Sequence, residues 1–253
     1  MNLCPKEMKM EKIYTKQMEI PNVAVDRFGR MKASWLLACV QEVAGEHSER
    51  LGAANGVYNG KQLFWAVTRH RVEINRLPGA KETITLKTWP CPTTRVAYPR
   101  ATVACDEAGN ELFRVMSLWV LMDVGSRAMI LPGKSGVNVD GVTLGSEIAA
   151  PVSLAPIPGE NREERRVRFT DLDVNGHMNN TQYLNWVDDL LPGTHHRDHP
   201  AREFTICYLS EALEGQVLEL NWTLEEGLRV DAQCREDEDG GKTRRIFAAK
   251  VGY

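Results

Sequence analysis

The stretch "DLDVNGHMNN" (171–180) packs two aspartates, three asparagines and a histidine into ten residues. Read locally it is a turn that caps a helix, since Asn, Asp and Gly are ordinary turn and N-cap residues. Its meaning changes when the chain is compared with itself. "DRFGRMKASWLLACV" (26–40) aligns with "DVNGHMNNTQYLNWV" (173–187) without a gap at an offset of 147. Asp26 meets Asp173, Gly29 meets Gly176, Met31 meets Met178, Leu37 meets Leu184 and Val40 meets Val187. A turn repeated at long range marks a duplicated unit.

Each copy runs from the turn into a helical pattern. Trp35, Leu36, Cys39, Val40, Val43 and His47 recur at three- and four-residue spacing, as do Tyr183, Leu184, Trp186, Val187 and Leu190. Pro192-Gly193 predicts the end of the second helix. Strand patterns follow in both copies. The first copy has 63–74, 82–89, 95–105 and 111–123; the second has 203–209, 216–224, 228–236 and 243–253. Acidic, Gly-containing turns (106–110 and 237–241) join the last pair of each. The expected fold class is α+β: two tandem units, each a long helix wrapped by a curved antiparallel sheet, because neither element buries its apolar face alone. The expected boundaries are 1–130 and 166–253, with 131–165 a Gly-, Pro- and Ser-rich linker crossing the surface.

Composition narrows the field. A net charge of −3 gives no global signature of a nucleic-acid binder. No run approaches the ~18 apolar residues of a membrane span. The start, "MNLCPKEMKMEK", lacks a continuous apolar segment, so no signal peptide is expected. Six cysteines without a C-x-x-C pair read as reduced thiols of a cytoplasmic protein. "THHRDHP" (194–200) holds three of the six histidines, lacks a metal-ligand frame and is expected to be a solvated loop. His47 and His70 are assigned to packing or surface, and no metal or cofactor is implied.

The doubled helix-then-sheet unit, with "DLDVNGHMNNTQYLNW" opening its second copy, resembles the acyl-ACP thioesterases. These are tandem hot-dog proteins, and the resemblance spans essentially the whole chain. It implies hydrolysis of fatty acyl-(acyl carrier protein), ACP, to free fatty acid and ACP, with no cofactor, ending or diverting fatty acid synthesis. Plant members begin with a chloroplast transit peptide; none is expected here, and the expected setting is that of a bacterial cytoplasmic enzyme. The family's functional residues fall on Asp173, Asn175 and His177, and on the acid of "YLSEAL", Glu211. Some plant members have Cys where this chain has Ala212, so a thiol nucleophile there is impossible.

Thioester hydrolysis needs water activated and a carbonyl oxygen stabilised. Glu211 is the expected general base. Asp173 would orient His177 or water, or itself attack. Asn175, His177 and the N–H groups of the helix starting near Met178–Asn180 would serve as donors, with Gly176 allowing close backbone approach. The first copy has Phe28, Arg30 and Lys32 at the places of Asn175, His177 and Asn179, and Leu77 opposite Glu211. One site per chain is therefore expected, in the second half. Leu36, Leu37, Val40, Phe64 and Trp65 of the first half are candidates for an acyl-chain wall.

An acidic carrier protein calls for a basic docking surface, and Arg165, Arg166 and Arg168 are assigned to it. An acyl-CoA thioesterase of the same fold, a hot-dog hydratase and a non-catalytic acyl-binding module stay open as rivals. A second chain is not needed to complete the fold, and a homodimer stays open.

Overall fold

The computed structural model describes residues 12–158, 161–236 and 242–253. Cys4 and the expected 237–241 turn lie outside them. In the first half, β1 (Tyr14–Glu19) is followed by a short 3-10 turn and the long helix α1 (Ala33–Arg50). Five strands come next: β2 (Gly56–Tyr58), β3 (Lys61–Ile74), β4 (Thr83–Pro90), β5 (Tyr98–Cys105) and β6 (Glu111–Asp123). A two-residue strand β7 (Met129–Ile130) and one helical turn α2 (Pro132–Ser135) lead into the connecting segment. The second half repeats the plan with β8 (Asn161–Arg166), α3 (Gln182–Asp188), α4 (Gly193–Asp198), β9 (Glu203–Tyr208), β10 (Val217–Thr223), β11 (Leu228–Glu236) and β12 (Lys242–Gly252).

The strands form one sheet, ordered β1-β4-β5-β6-β3-β9-β12-β11-β10-β8. The order is the same read outward from the middle: β3, β6, β5, β4, β1 on one side and β9, β12, β11, β10, β8 on the other. After the helices the two copies are offset by 134 rather than 147, the separation of Pro78 and Ala212, which accept the N–H groups of Met31 and Met178. At that offset Thr205 is the counterpart of Arg71, and these two are directly paired where β3 meets β9. His70 pairs with Ile206 and Val72 with Phe204, each the mate of the other's partner. A pseudo-twofold axis thus passes through the Arg71–Thr205 pair.

The helices explain why the halves are fused. Leu36, Leu37 and Val40 of α1 share one core with Tyr183, Leu184 and Val187 of α3. Burying a side chain of this size stabilises by about 1.5–3 kcal/mol, and the part contributed by the other half's helix would be lost if either half stood alone. The connecting segment straps the opposite face. Val142 and Ile148 cover Trp89, Cys91, Ala101 and Met116. Further along, the carbonyls of Val152 and Leu154 accept from Cys207 and Arg245 of the second half.

Three expectations change. The second helix is not long: α3 has seven residues, and Pro192 starts a separate helix α4 that contains most of the expected "THHRDHP" loop. The apolar spacing continues past its end because Leu190 and Leu191 stay buried in the turn between them. The connection ends earlier than expected, since 161–165 belong to β8, paired to β10 along its length. His47 and His70, assigned to packing or surface, both lie buried in packing.

Candidate active site

The sister turns are built alike. In each, a one-pair bridge closes the loop: Val25 with Met31, Leu172 with Met178. Asp26 N–H donates to the Arg30 carbonyl at 2.7 Å, and Asp173 N–H to the His177 carbonyl at 2.8 Å. Gly29 and Gly176 both sit at φ +77°, a conformation that favours glycine. Each aspartate's Oδ1 accepts backbone N–H groups of the loop, from Phe28 (2.8 Å) and Arg30 (3.0 Å), and from Asn175 (2.8 Å) and His177 (3.3 Å). Asp173 therefore does what Asp26 does: it holds the loop shut.

The side chains then diverge. In the first turn Arg30 folds back onto Asp26 Oδ2 at 3.2 Å. In the second, Asn175 Nδ2 takes that place, 3.2 Å from Asp173 Oδ2. His177, relieved of the aspartate, turns to Glu211, with Nε2 3.4 Å from Oε2. Glu211 stands on the turn after β9, where His177 also forms a bridge with Leu213. Arg127, from the β6–β7 hairpin of the first half, donates to Glu211 Oε1 and lies 3.5 Å from His177 Nε2. Its guanidinium carbon sits 5.0 Å above the Phe64 ring. Glu211 holds the Arg127 guanidinium above its ordinary value, first through their hydrogen bond. The site is thus an imidazole, a carboxylate and a guanidinium, the last contributed by the opposite half.

Of the four expected reacting groups, the structure brings His177 and Glu211 together; Asp173 and Asn175 are paired with each other beside them. The expected helix-start donors are spent: Met178 N–H donates to Ala212 and Asn179 N–H to Asp171, both at 2.8 Å. The helix begins later, at Gln182, because the Asn179 side chain accepts from the Thr181 N–H and hydroxyl. Arg127 was not anticipated. Its partner is 84 residues away, and no local pattern marks it.

Leu36, Leu37 and Val40 are wholly buried in the shared core. Phe64 lies under Arg127. Trp65 lines a cavity of about 270 Å3 between α1 and the first half's sheet. An open groove shares Gln41, Gly45 and Glu49 with that cavity and reaches Asn179 and Thr181, next to the 173–178 loop. The described cysteines are free, and burial pushes Cys39 and Cys91 up to about 11, away from thiolate chemistry. Among the docking arginines, Arg165 is engaged by Glu163 (2.6 Å) and Asp189 (3.2 Å). Arg166 donates to the Gly215 carbonyl, and both Arg166 and Arg168 are exposed.

Two family models match this chain: the acyl-ACP thioesterase N-terminal domain over residues 11–131 and its C-terminal domain over 155–248. The chain belongs to the acyl-ACP thioesterase family. Its architecture is the family's doubled hot-dog, each half-sheet curling around a helix. An acyl-ACP thioesterase from Bacteroides thetaiotaomicron superposes with a TM-score of 0.81 at 22% identity, covering 95% of this chain and 97% of that one. The 12:0-ACP thioesterase from Umbellularia californica gives 0.73 at 23% identity, covering 95% and 96%. A chloroplastic acyl-(acyl carrier protein) hydrolase of Cuphea viscosissima is 24% identical over 219 residues, which is 78% of this chain and 51% of the relative. This acyl-ACP thioesterase family member therefore spans about half the length of the curated relatives it matches. Among the described residues no helix is long and apolar enough to cross a membrane.

Proposed function

We propose that this chain hydrolyses fatty acyl-ACP to free fatty acid and ACP, as the names of its relatives say of them. The observation that carries the reading is the His177–Glu211–Arg127 cluster, which occupies one turn of a duplicated pair and has no counterpart in the other.

Glu211 is solvent-accessible and acts as the base on water. One of its oxygens faces His177, which is oriented by it and supplies an N–H toward the thioester carbonyl. The second N–H of the Asn175 amide and the Arg127 guanidinium are the further donors at hand. Donors aimed at a developing oxyanion commonly contribute about 10²–10³ in turnover when sheltered from water. Asp173 shapes the loop that presents Asn175 and His177, and Glu211 is preferred over it because the Asp173 carboxylate holds the loop's backbone N–H groups while the Glu211 side chain is 48% exposed to water. A thiolate leaves readily, so no dedicated acid is required.

The acyl chain runs along the groove beside Asn179 and Thr181 toward the first-half cavity, where Trp65 is wall; Leu36, Leu37 and Val40 lie in the shared core and do not line it. Arg166 and Arg168 carry the docking role on an acidic carrier, and Arg165, already neutralised, contributes less. The setting we propose is the cytoplasm, in fatty acid synthesis, a reading supported by the free thiols. A homodimer is not required by it.

Turnover of one acyl chain presented on ACP and on CoA tests the reading. It expects kcat/KM to be higher for the ACP thioester, with the advantage reduced in an Arg166→Glu/Arg168→Glu variant. Equal or better turnover of the CoA thioester would move the assignment to an acyl-CoA thioesterase. No turnover of either would leave a binding module.

A further inference from the structure

The strand that leads to Glu211 and the loop that carries His177 are joined by a bond that the first copy lacks. Tyr208, the last residue of β9, donates its hydroxyl to the Asn180 carbonyl at 2.9 Å. Tyr208 lies three residues before Glu211, and Asn180 three residues after His177. The bond therefore ties together the two segments that carry the site's imidazole and carboxylate. At the offsets that relate the halves, the counterpart of Tyr208 is Ile74 and that of Asn180 is Ala33. Isoleucine has no hydroxyl to give.

The framework around this bond is shared by the two copies. Leu209 and Ser210 N–H both donate to the Ile246 carbonyl (2.8 and 3.1 Å), as Asn75 and Arg76 do to that of Leu112 (2.9 and 3.0 Å). What changes is the way the helix starts. In the first copy Leu36 N–H donates to the Lys32 carbonyl, four residues back, at 3.0 Å, and α1 runs on from Ala33. In the second the matching carbonyl, that of Asn179, accepts from Gln182, three residues on, at 2.9 Å, and Leu184 N–H donates to Thr181 at 3.3 Å. This tighter turn delays α3 to Gln182. It leaves the Asn180 carbonyl ahead of the helix, where a side-chain donor satisfies it. Tyr208 supplies that donor from a fixed place. β9 lies in the middle of the sheet, paired with both β3 and β12. The Tyr208 ring is braced edge-on by His70, with centroids 6.0 Å apart, and by Tyr183 at 5.7 Å.

We infer that Tyr208 is a positioning residue of the site. Its role is indirect: it fixes the His177 loop against β9, from which the Glu211 turn departs, and so sets the spacing of imidazole and carboxylate that hydrolysis needs. This rests on the proposed function, in which Glu211 is the base and His177 a donor. Without the tether that spacing would depend on the Met178–Ala212 bond and the His177–Leu213 bridge. A displacement of about 1 Å at a site can cost about 10²-fold in rate, and loss of one tether among three should cost less.

Amide hydrogen exchange in Tyr208→Phe, which keeps the ring and removes the hydroxyl, reads the tether without turnover. The Met178 amide, bonded to the Ala212 carbonyl, should exchange about 10-fold faster or more, while that of its counterpart Met31, bonded to Pro78, stays unchanged. General destabilisation would accelerate both, so Met31 is the control within the same molecule. Kinetics then read the positioning role. With acyl-ACP, kcat should fall about 10-fold and KM should change by less than about 2-fold. In a His177→Ala background the same substitution should cost less than about 2-fold, because the group it positions is gone. An unchanged Met178 amide, equal acceleration at both methionines, an unchanged kcat, or the full loss repeated in the His177→Ala background would overturn the inference. No turnover by the unaltered chain would instead overturn the proposed function, and the positioning role with it, whatever the amides show.

Discussion

The turn at 26–31 and the turn at 173–178 have the same bridge, the same left-handed glycine and the same aspartate accepting the same two backbone N–H groups. One of them faces a polar cluster and the other does not. The difference lies in what the aspartate's second oxygen holds. In the first turn it holds Arg30, a long side chain that closes on its own loop and reaches the His196 carbonyl at 2.8 Å. In the second it holds the short Asn175 amide, and His177 is left to meet Glu211. Duplication supplied a scaffold twice; the second copy differs by Asn175 and His177 on the loop and Glu211 across from it, where the first has Phe28, Arg30 and Leu77.

The largest effect should follow from breaking the cluster in the second copy. Glu211→Gln removes the base without removing bulk, and kcat for an acyl thioester should fall by about 10²–10⁴. Steady-state kinetics with unchanged thermal unfolding would check it, and retained turnover would remove Glu211 from the mechanism. Next comes the paired comparison of the two aspartates. Asp26→Ala and Asp173→Ala each remove charge-assisted hydrogen bonds to backbone, so each should destabilise by roughly 1–3 kcal/mol. Only Asp173→Ala should also lose activity, through misplacement of Asn175 and His177. Chemical denaturation and turnover measured on both proteins separate scaffold from site.

Arg127→Ala should lower kcat by about 10-fold, less than the ~10²–10³ of a sheltered donor. The reason is exposure: the Arg127 and Glu211 side chains are 42% and 48% exposed, and water screens the pair. A smaller effect separates His70 from its mate in the second half, Phe204. Burial lowers His70 from 6.5 to about 3. It is neutral when folded, while the unfolded chain takes up a proton below 6.5, so stability should be full above that pH and fall between 6.5 and about 3. The slope is at most about 1.4 kcal/mol per pH unit. His70→Phe should flatten that acid limb in urea titrations run across this window; an unchanged slope would mean that His70 protonates without unfolding.

Much of this was legible before any coordinates. The ungapped alignment of 26–40 with 173–187 carried the duplication, and alternation carried β3 to β6 and β9 to β12, because each has one buried face. The edge strands β1 and β8 were missed for the converse reason. In "YTKQME" a lysine separates the inward-facing Tyr14 and Met18, and "NREERR" has no apolar residue at all, so neither shows an apolar alternation. Periodicity also could not tell core from cavity wall: Leu36, Leu37 and Val40 share the helical spacing of Ala44, yet only Ala44 lines the cavity. Arg127 was invisible because sheet topology, not local sequence, brings the β6–β7 hairpin to the turn after β9.

If one of the two equivalent turns is an active site, their equivalent residues should differ sharply in effect. Replacing the equivalent residues one at a time tests it most directly. Release of free thiol from acyl-ACP should be measured for the unaltered chain, for His177→Ala and for Arg30→Ala. Hydrolysis is expected of the unaltered chain and of Arg30→Ala, with a loss of about 10²-fold or more in His177→Ala. Equal rates for the two variants would contradict it.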